Sequence, residues 1–354
     1  MTADRVLDFA GHEAVVRPLL RAVRDGRGAH AYLITGPPQT GKSTLARLLA
    51  AAHLCPAAEP PCRACPTCRR IAVGTHPDVE VLPPGGLCDE SGHDHSRDHS
   101  RDIRICQVRR AERLLNLTPF EARARVVIID PADALNAQSA DAFLKTLEEP
   151  PGQAVIVLTA VEVSALPETI RSRCRPVTLG LLSPGTIERY LVQARAVPPD
   201  EAALLARLSG GRIGWAIAAL ERPEARAHRT ELLDECAALA AGDRVQRLSV
   251  AERLAGAFAH NRDEVYAALA HWASWWRDLL LITAGRDNQI INIDRREELT
   301  AVAARFDPAS VVRALRVLRE ARRDLESNVN PRLALDAFML RLPVAAKGGG
   351  ARRA

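Results

Sequence analysis

Gly36-Pro37-Pro38-Gln39-Thr40-Gly41-Lys42-Ser43 fits the pattern G-x-x-x-x-G-K-[ST] in full, and that pattern is a device for gripping phosphate. Its glycines let the backbone curl so that successive N–H groups face one point. The helix that follows adds the positive end of its dipole, the lysine reaches the β- and γ-phosphates, and the serine ligands Mg²⁺. Gly36, Gly41, Lys42, Ser43 and Thr44 are therefore the candidate residues for binding ATP. Such a loop also needs an acid on a neighbouring strand to hold the metal, and the apolar run Val126-Val127-Ile128-Ile129 ends in Asp130. The next position, where many P-loop ATPases carry a glutamate that polarises the attacking water, is Pro131, which has no proton acceptor. Asp133 lies three residues on. That shift misplaces a base that must stand within about 3 Å of its water. The expectation is nucleotide binding without efficient hydrolysis.

Cys55, Cys62, Cys65 and Cys68 give the spacing C-x6-C-x2-C-x2-C. The two-residue gaps let neighbouring thiolates converge on one ion, and four sulfurs leave no open position, which predicts a closed structural Zn²⁺ site. Cys88, Cys106, Cys174 and Cys236 lack such spacing and read as small apolar residues. Residues 85–102 are polar and repeat Asp-His-Ser-Arg in tandem. They read as an inserted surface loop whose charges cancel in solvent, a reading favoured over metal binding through His93, His95 and His99. Arg171, Arg173 and Arg175 cluster around Ser172-Arg173-Cys174. That cluster is either a solvated basic turn or a means of presenting an arginine to a phosphate held by a neighbouring subunit, and composition does not choose between them.

Short apolar runs at 31–34, 126–129 and 155–158 read as buried strands, with helical spacing at 15–23, 43–54 and 137–148 around them. Strand, loop and helix in that order belong to an α/β fold with a parallel sheet. Strand signals then thin out. A small helical module is expected at 179–222, and five or six helices at 223–343, among them 263–282 and 308–325. Residues 344–354 carry little apolar content and are expected to be disordered. The 354 residues hold 48 Lys and Arg against 43 Asp and Glu, a net charge of +5, with 47% hydrophobic residues. Wholesale disorder is excluded by that apolar content, and the longest apolar stretches fall far short of the roughly 18–20 residues that span a bilayer. With no secretory pattern at the N-terminus, the expected location is cytoplasmic. Aromatics at 4% leave few platforms for stacking nucleobases.

The ordered set of His30-Ala31-Tyr32-Leu33, the P-loop, the four cysteines, Leu144-Lys145-Thr146-Leu147-Glu148-Glu149-Pro150-Pro151 and Ser172-Arg173-Cys174 resembles the AAA+ subunits of the bacterial DNA polymerase III clamp loader. The likeness covers nearly the whole chain and is closer to the delta-prime branch than to the gamma/tau motor branch. The motor's Walker B runs Asp-Glu where this chain has Asp130-Pro131. Its sensor 2 arginine would fall at about Gly214, and residues 103–110 with Pro119 and Phe120 follow the delta-prime pattern.

The resemblance implies an AAA+ P-loop domain at 1–178 with a zinc module at 55–68, a helical lid at 179–222 and an all-α collar at 223–343. It implies a five-membered ring with gamma/tau and delta subunits, acting on a sliding clamp and primed DNA through the complex. It makes Arg173 a catalytic residue in trans, toward ATP on the adjacent motor subunit, while the chain's own ATPase is weak or absent. Trp275-Trp276-Arg277-Asp278-Leu279-Leu280 and residues 328–342 resemble collar segments. Two alternatives are a gamma/tau-type motor and, from another class, a small-molecule P-loop kinase.

Overall fold

The computed structural model describes residues 7–90, 95, 102–327 and 329–345. The chain divides into two compact units, one running to Ala196 and including Gly211–Trp215, the other formed by Val197–Gly210 and the chain from Ala216 onward. Elements of the first are α1 (Glu13–Arg24), β1 (Ala31–Thr35), α2 (Lys42–Leu54), α3 (Pro66–Val73), β2 (Val79–Leu82), α4 (Ile105–Asn116), β3 (Arg125–Ile129), α5 (Ala137–Glu148), β4 (Ala154–Ala160), α6 (Glu168–Arg171), β5 (Arg175–Thr178) and α7 (Pro184–Arg195). The five strands form one parallel sheet in the order β2-β3-β4-β1-β5.

The sheet's period of two explains its two cores. Tyr32 and Ile34 of β1, Val126 and Ile128 of β3, and Val155 and Val157 of β4 pack with Leu45, Leu48 and Leu49 of α2. Ala31 and Leu33, Val127 and Ile129, and Ile156 and Leu158 face the other way, toward Val108 of α4 and Phe143 and Leu147 of α5. Central strands covered on both faces read as unbroken apolar runs, and these are the three expected from the sequence. The edge strands β2 and β5 were not expected. Glu80 interrupts one, and Pro176 sits inside the other, where an edge position tolerates its missing N–H.

The second unit holds α8 (Pro199–Leu208), most of α9 (Ile213–Glu221), α10 (Pro223–Ala241), α11 (Arg244–His260), α12 (Arg262–Thr283), α13 (Arg296–Ala303), α14 (Pro308–Glu326) and α15 (Pro331–Arg341). Of residues 179–222, α7 thus belongs with the sheet and α8 with the helical unit. Trp272, Trp275 and Trp276 are wholly buried. Trp272 stacks on Phe338 with ring centroids 6.0 Å apart, and Trp276 meets Phe306 edge-on at 5.1 Å. Asp278 accepts the N–H groups of Ile291 and Asn292 at 3.0 and 2.7 Å, which ties α12 to the segment leading into α13. Buried Arg247 donates to Leu239 O at 2.7 Å and Pro343 O at 2.9 Å, satisfying carbonyls near the ends of α10 and α15. Disorder was expected over 344–354, but Ala345 is buried in the helical core and its N–H donates to Ala240 O at 3.0 Å; residues 346–354 lie outside the described residues.

Candidate nucleotide site and cysteine clusters

The loop between β1 and α2 is built on backbone conformations that side chains resist. Gly36 has φ 149°, and a Cβ there would stand 2.1 Å from Leu179 O. Gly41 has φ 96° and starts α2, with the ring of Phe9 lying 3.1 Å from where its Cβ would be. Thr40 Oγ1 donates to Pro37 O at 2.8 Å, which closes the turn. Lys42 Nζ reaches back across the loop to Gly36 O at 2.8 Å and Pro37 O at 2.9 Å. Burial pulls its pKa below the ordinary lysine value, while the charges of Asp133 and Asp130 oppose that fall. Ser43 and Thr44 occupy the first turn of α2, beside the N–H groups that no helical carbonyl satisfies.

Asp130 stands just beyond β3 and accepts a hydrogen bond from Thr159 Oγ1 at 2.5 Å. Thr159 was missed from the sequence, although a hydroxyl near the end of an otherwise apolar strand is the signal for it. Asp133 turns Oδ2 to the Val161 N–H at 2.9 Å, and its Oδ1 is buried with no hydrogen-bond partner. On the opposite side of the loop, Gly214 N–H donates to Gln39 O at 2.8 Å. A Cβ on Gly214 would lie 3.0 Å from that oxygen, so any side chain there crowds the loop backbone.

The first four cysteines converge as expected. Cys55 ends α2, Cys65 caps α3 and Cys68 lies in its first turn. The four sulfurs all lie within 4.8 Å of one another, with Cys55 Sγ 3.5 Å from Cys62 Sγ and 3.8 Å from Cys65 Sγ. Thiolates on one tetrahedral ion at about 2.3 Å stand about 3.8 Å apart, so the set fits a metal. Backbone N–H groups of Cys62, Cys65 and Cys68 point at Cys55, Cys62 and Cys65 sulfurs respectively, at 3.3–3.5 Å. The N–H groups of Ala64 and Cys65 hold the Cys62 thiol down to about 6, whereas burial pushes Cys55 and Cys68 up.

Arg173 follows α6 on a partly exposed turn and is held within its own chain. Nη2 pairs with Glu148 Oε1 at 2.5 Å, and Nη1 donates to Thr169 O at 2.8 Å. Cys106 is buried, as expected of a small apolar residue, and together with Cys88 and His95 it brings three ligand atoms within 4.8 Å of one another. His95 is buried, at variance with a wholly solvated tract, and His93 and His99 lie outside the described residues.

Residues 11–182 match the family described as DNA polymerase III, delta subunit, and residues 224–343 match its C-terminal family. The DNA polymerase III subunit delta' of Escherichia coli is 30% identical over 335 residues, covering 92% of each chain. This chain belongs to the delta-prime family. The delta' subunit of Bacillus subtilis is 27% identical over 93% of this chain and 95% of its own. That of Pseudomonas aeruginosa is 39% identical over 188 residues, so the match spans about half of each, 52% and 53%. The fold of this delta-prime chain is the expected α/β core with a parallel sheet, followed by an all-helical C-terminal region. Within it, the run 144–149 lies at the end of α5, where Leu147 packs in the core and Glu148 faces out to Arg173.

Proposed function

We propose that this chain serves the clamp loader as a stator, binding ATP and Mg²⁺ with little or no hydrolysis of its own and lending Arg173 in trans to ATP on a neighbouring gamma/tau motor subunit. The observation that carries this reading is the ending of β3. Asp130 follows the last residue of β3 and in this reading holds Mg²⁺, but the following position, Pro131, has no group to take a proton. The nearby Asp133 spends one oxygen on the Val161 N–H. Gly214 supports the same reading, because its contact with Gln39 leaves no arginine there to reach a γ-phosphate.

In this reading Gly36, Gly41, Lys42, Ser43 and Thr44 bind the phosphates, and Cys55, Cys62, Cys65 and Cys68 hold one structural Zn²⁺. The AAA+ core spans 1–178, the lid 179–222 and the collar 223–343. Partners are gamma/tau and delta subunits, with the sliding clamp and primed DNA met through the complex, in the cytoplasm. No helix among the described residues is long and apolar enough to cross a membrane.

The isolated chain is expected to bind a fluorescent ATP analogue, to lose that binding in Lys42→Ala, and to turn ATP over very slowly. In a reconstituted complex, Arg173→Ala is expected to leave assembly intact and to slow DNA-stimulated hydrolysis by about 10³ at the active site it serves. Equal hydrolysis in both complexes would reduce Arg173 to a surface cation.

A second reading, a gamma/tau-type motor, is favoured by the intact P-loop and by the buried, unpartnered Oδ1 of Asp133. Brisk turnover by the isolated chain, lost in both Lys42→Ala and Asp133→Asn, would establish it instead. Family membership gives no support to the small-molecule kinase reading.

A further inference from the structure

The structure assigns a second metal site to this chain, made by Cys88, His95 and Cys106 and suited to Zn²⁺ or another soft divalent cation. His95 Nε2 lies 3.1 Å from Cys106 Sγ, and the three donor atoms are within 4.8 Å of one another. Two thiolates at about 2.3 Å and an imidazole nitrogen at about 2.0 Å from a tetrahedral ion stand about 3.5 to 3.8 Å apart, so the trio closes on an ion with shifts of no more than about an ångström. Sulfur and imidazole donors select zinc-like ions over Mg²⁺ or Ca²⁺.

Burial gives the second line of support. Residues 85–102 offer almost no apolar surface, and such a segment has no hydrophobic reason to enter a protein. Yet His95 is only 7% exposed and Cys106 only 3%, one against the other. Cys106 sits in the first turn of α4, so the helix fixes where its sulfur stands. The surrounding contacts hold the same connection down: Asp89 pairs with Arg110 and Arg113 of α4, and Gln107 Nε2 donates to Pro83 O at 3.1 Å. An ion here would pin the long β2–α4 connection to the helix beside the edge strand.

This site is separate from the four-cysteine cluster. Cys55 and Cys68 pack in the core layer of Tyr32 and Ile34, whereas α4 packs in the layer of Ala31 and Leu33 on the other face of the sheet. The inference rests on no part of the nucleotide reading.

The test is metal content of the full chain, purified without chelator and measured by inductively coupled plasma mass spectrometry. Wild type is expected to carry two Zn²⁺ per chain. His95→Ala and Cys88→Ser are each expected to carry one, and Cys62→Ser, in the other cluster, is also expected to carry one. Co²⁺ added to metal-free Cys62→Ser should give a thiolate charge-transfer band that the double variant Cys62→Ser/His95→Ala lacks. Circular dichroism on each variant shows that the fold persists. No Zn²⁺ in wild type would overturn the assignment, as would an unchanged content in folded His95→Ala.

Discussion

Gly214 is a residue whose smallness has a use. Its N–H holds Gln39 O at 2.8 Å, and Gln39 itself sits at φ 62°, inside the loop between β1 and α2. A methyl group at Gly214 would meet Gln39 O at 3.0 Å and Gln39 Cβ at 3.1 Å, so the loop backbone must give way. Gly214→Ala is therefore expected to weaken ATP binding about tenfold, read by titration with a fluorescent nucleotide. Unchanged affinity would show that the loop absorbs the shift freely. Lys42 and Asp130 were legible in the sequence because loop and acid each lie in one contiguous run. Thr159 and the Glu148 partner of Arg173 were not, since 29 residues separate the first from Asp130 and 25 the second from Arg173.

Asp78, immediately before β2, shows how an edge strand is fixed when its own sequence says little. Its buried carboxylate accepts the N–H groups of Phe120, Glu121 and Ala122 at 2.6, 2.9 and 2.9 Å, with Arg125 at 3.7 Å. Burial pushes this carboxyl up, but those donors and Arg125 outweigh it and hold its pKa below the ordinary aspartate value. Asp78→Ala leaves three N–H groups without their acceptor and is expected to cost about 3 kcal/mol at pH 7 in urea unfolding. The sign of the pH dependence follows. A carboxyl whose folded pKa is depressed stabilises above its unfolded value of about 3.9, and that contribution disappears as pH falls through the folded value. The gap between wild type and variant should therefore close in acid, and a gap that persists there would assign the loss to packing. The strands β1, β3 and β4 were readable from apolar runs alone. Edge strands β2 and β5 were hidden because half-exposed positions carry Glu80, Arg175 and Pro176. The trio of Cys88, His95 and Cys106 was hidden because gaps of six and ten residues carry no metal-site signature.

The two compact units have cores that share no residue, one around the sheet and one around Trp272, Trp275 and Trp276. Independent cores predict two calorimetric transitions for the intact chain. Both cysteine clusters belong to the sheet unit, so a zinc chelator is expected to lower one transition and leave the other where it was. Movement of both together, or of neither, would refute that. The pairing of Arg173 with Glu148 bears on the role proposed for Arg173. An exposed ion pair of this kind is worth at most about 1 kcal/mol. In the role proposed for it, a triphosphate docked opposite Arg173 by a neighbouring subunit has one carboxylate to displace. The guanidinium would then stay folded back on its own chain until those phosphates take the place of Glu148.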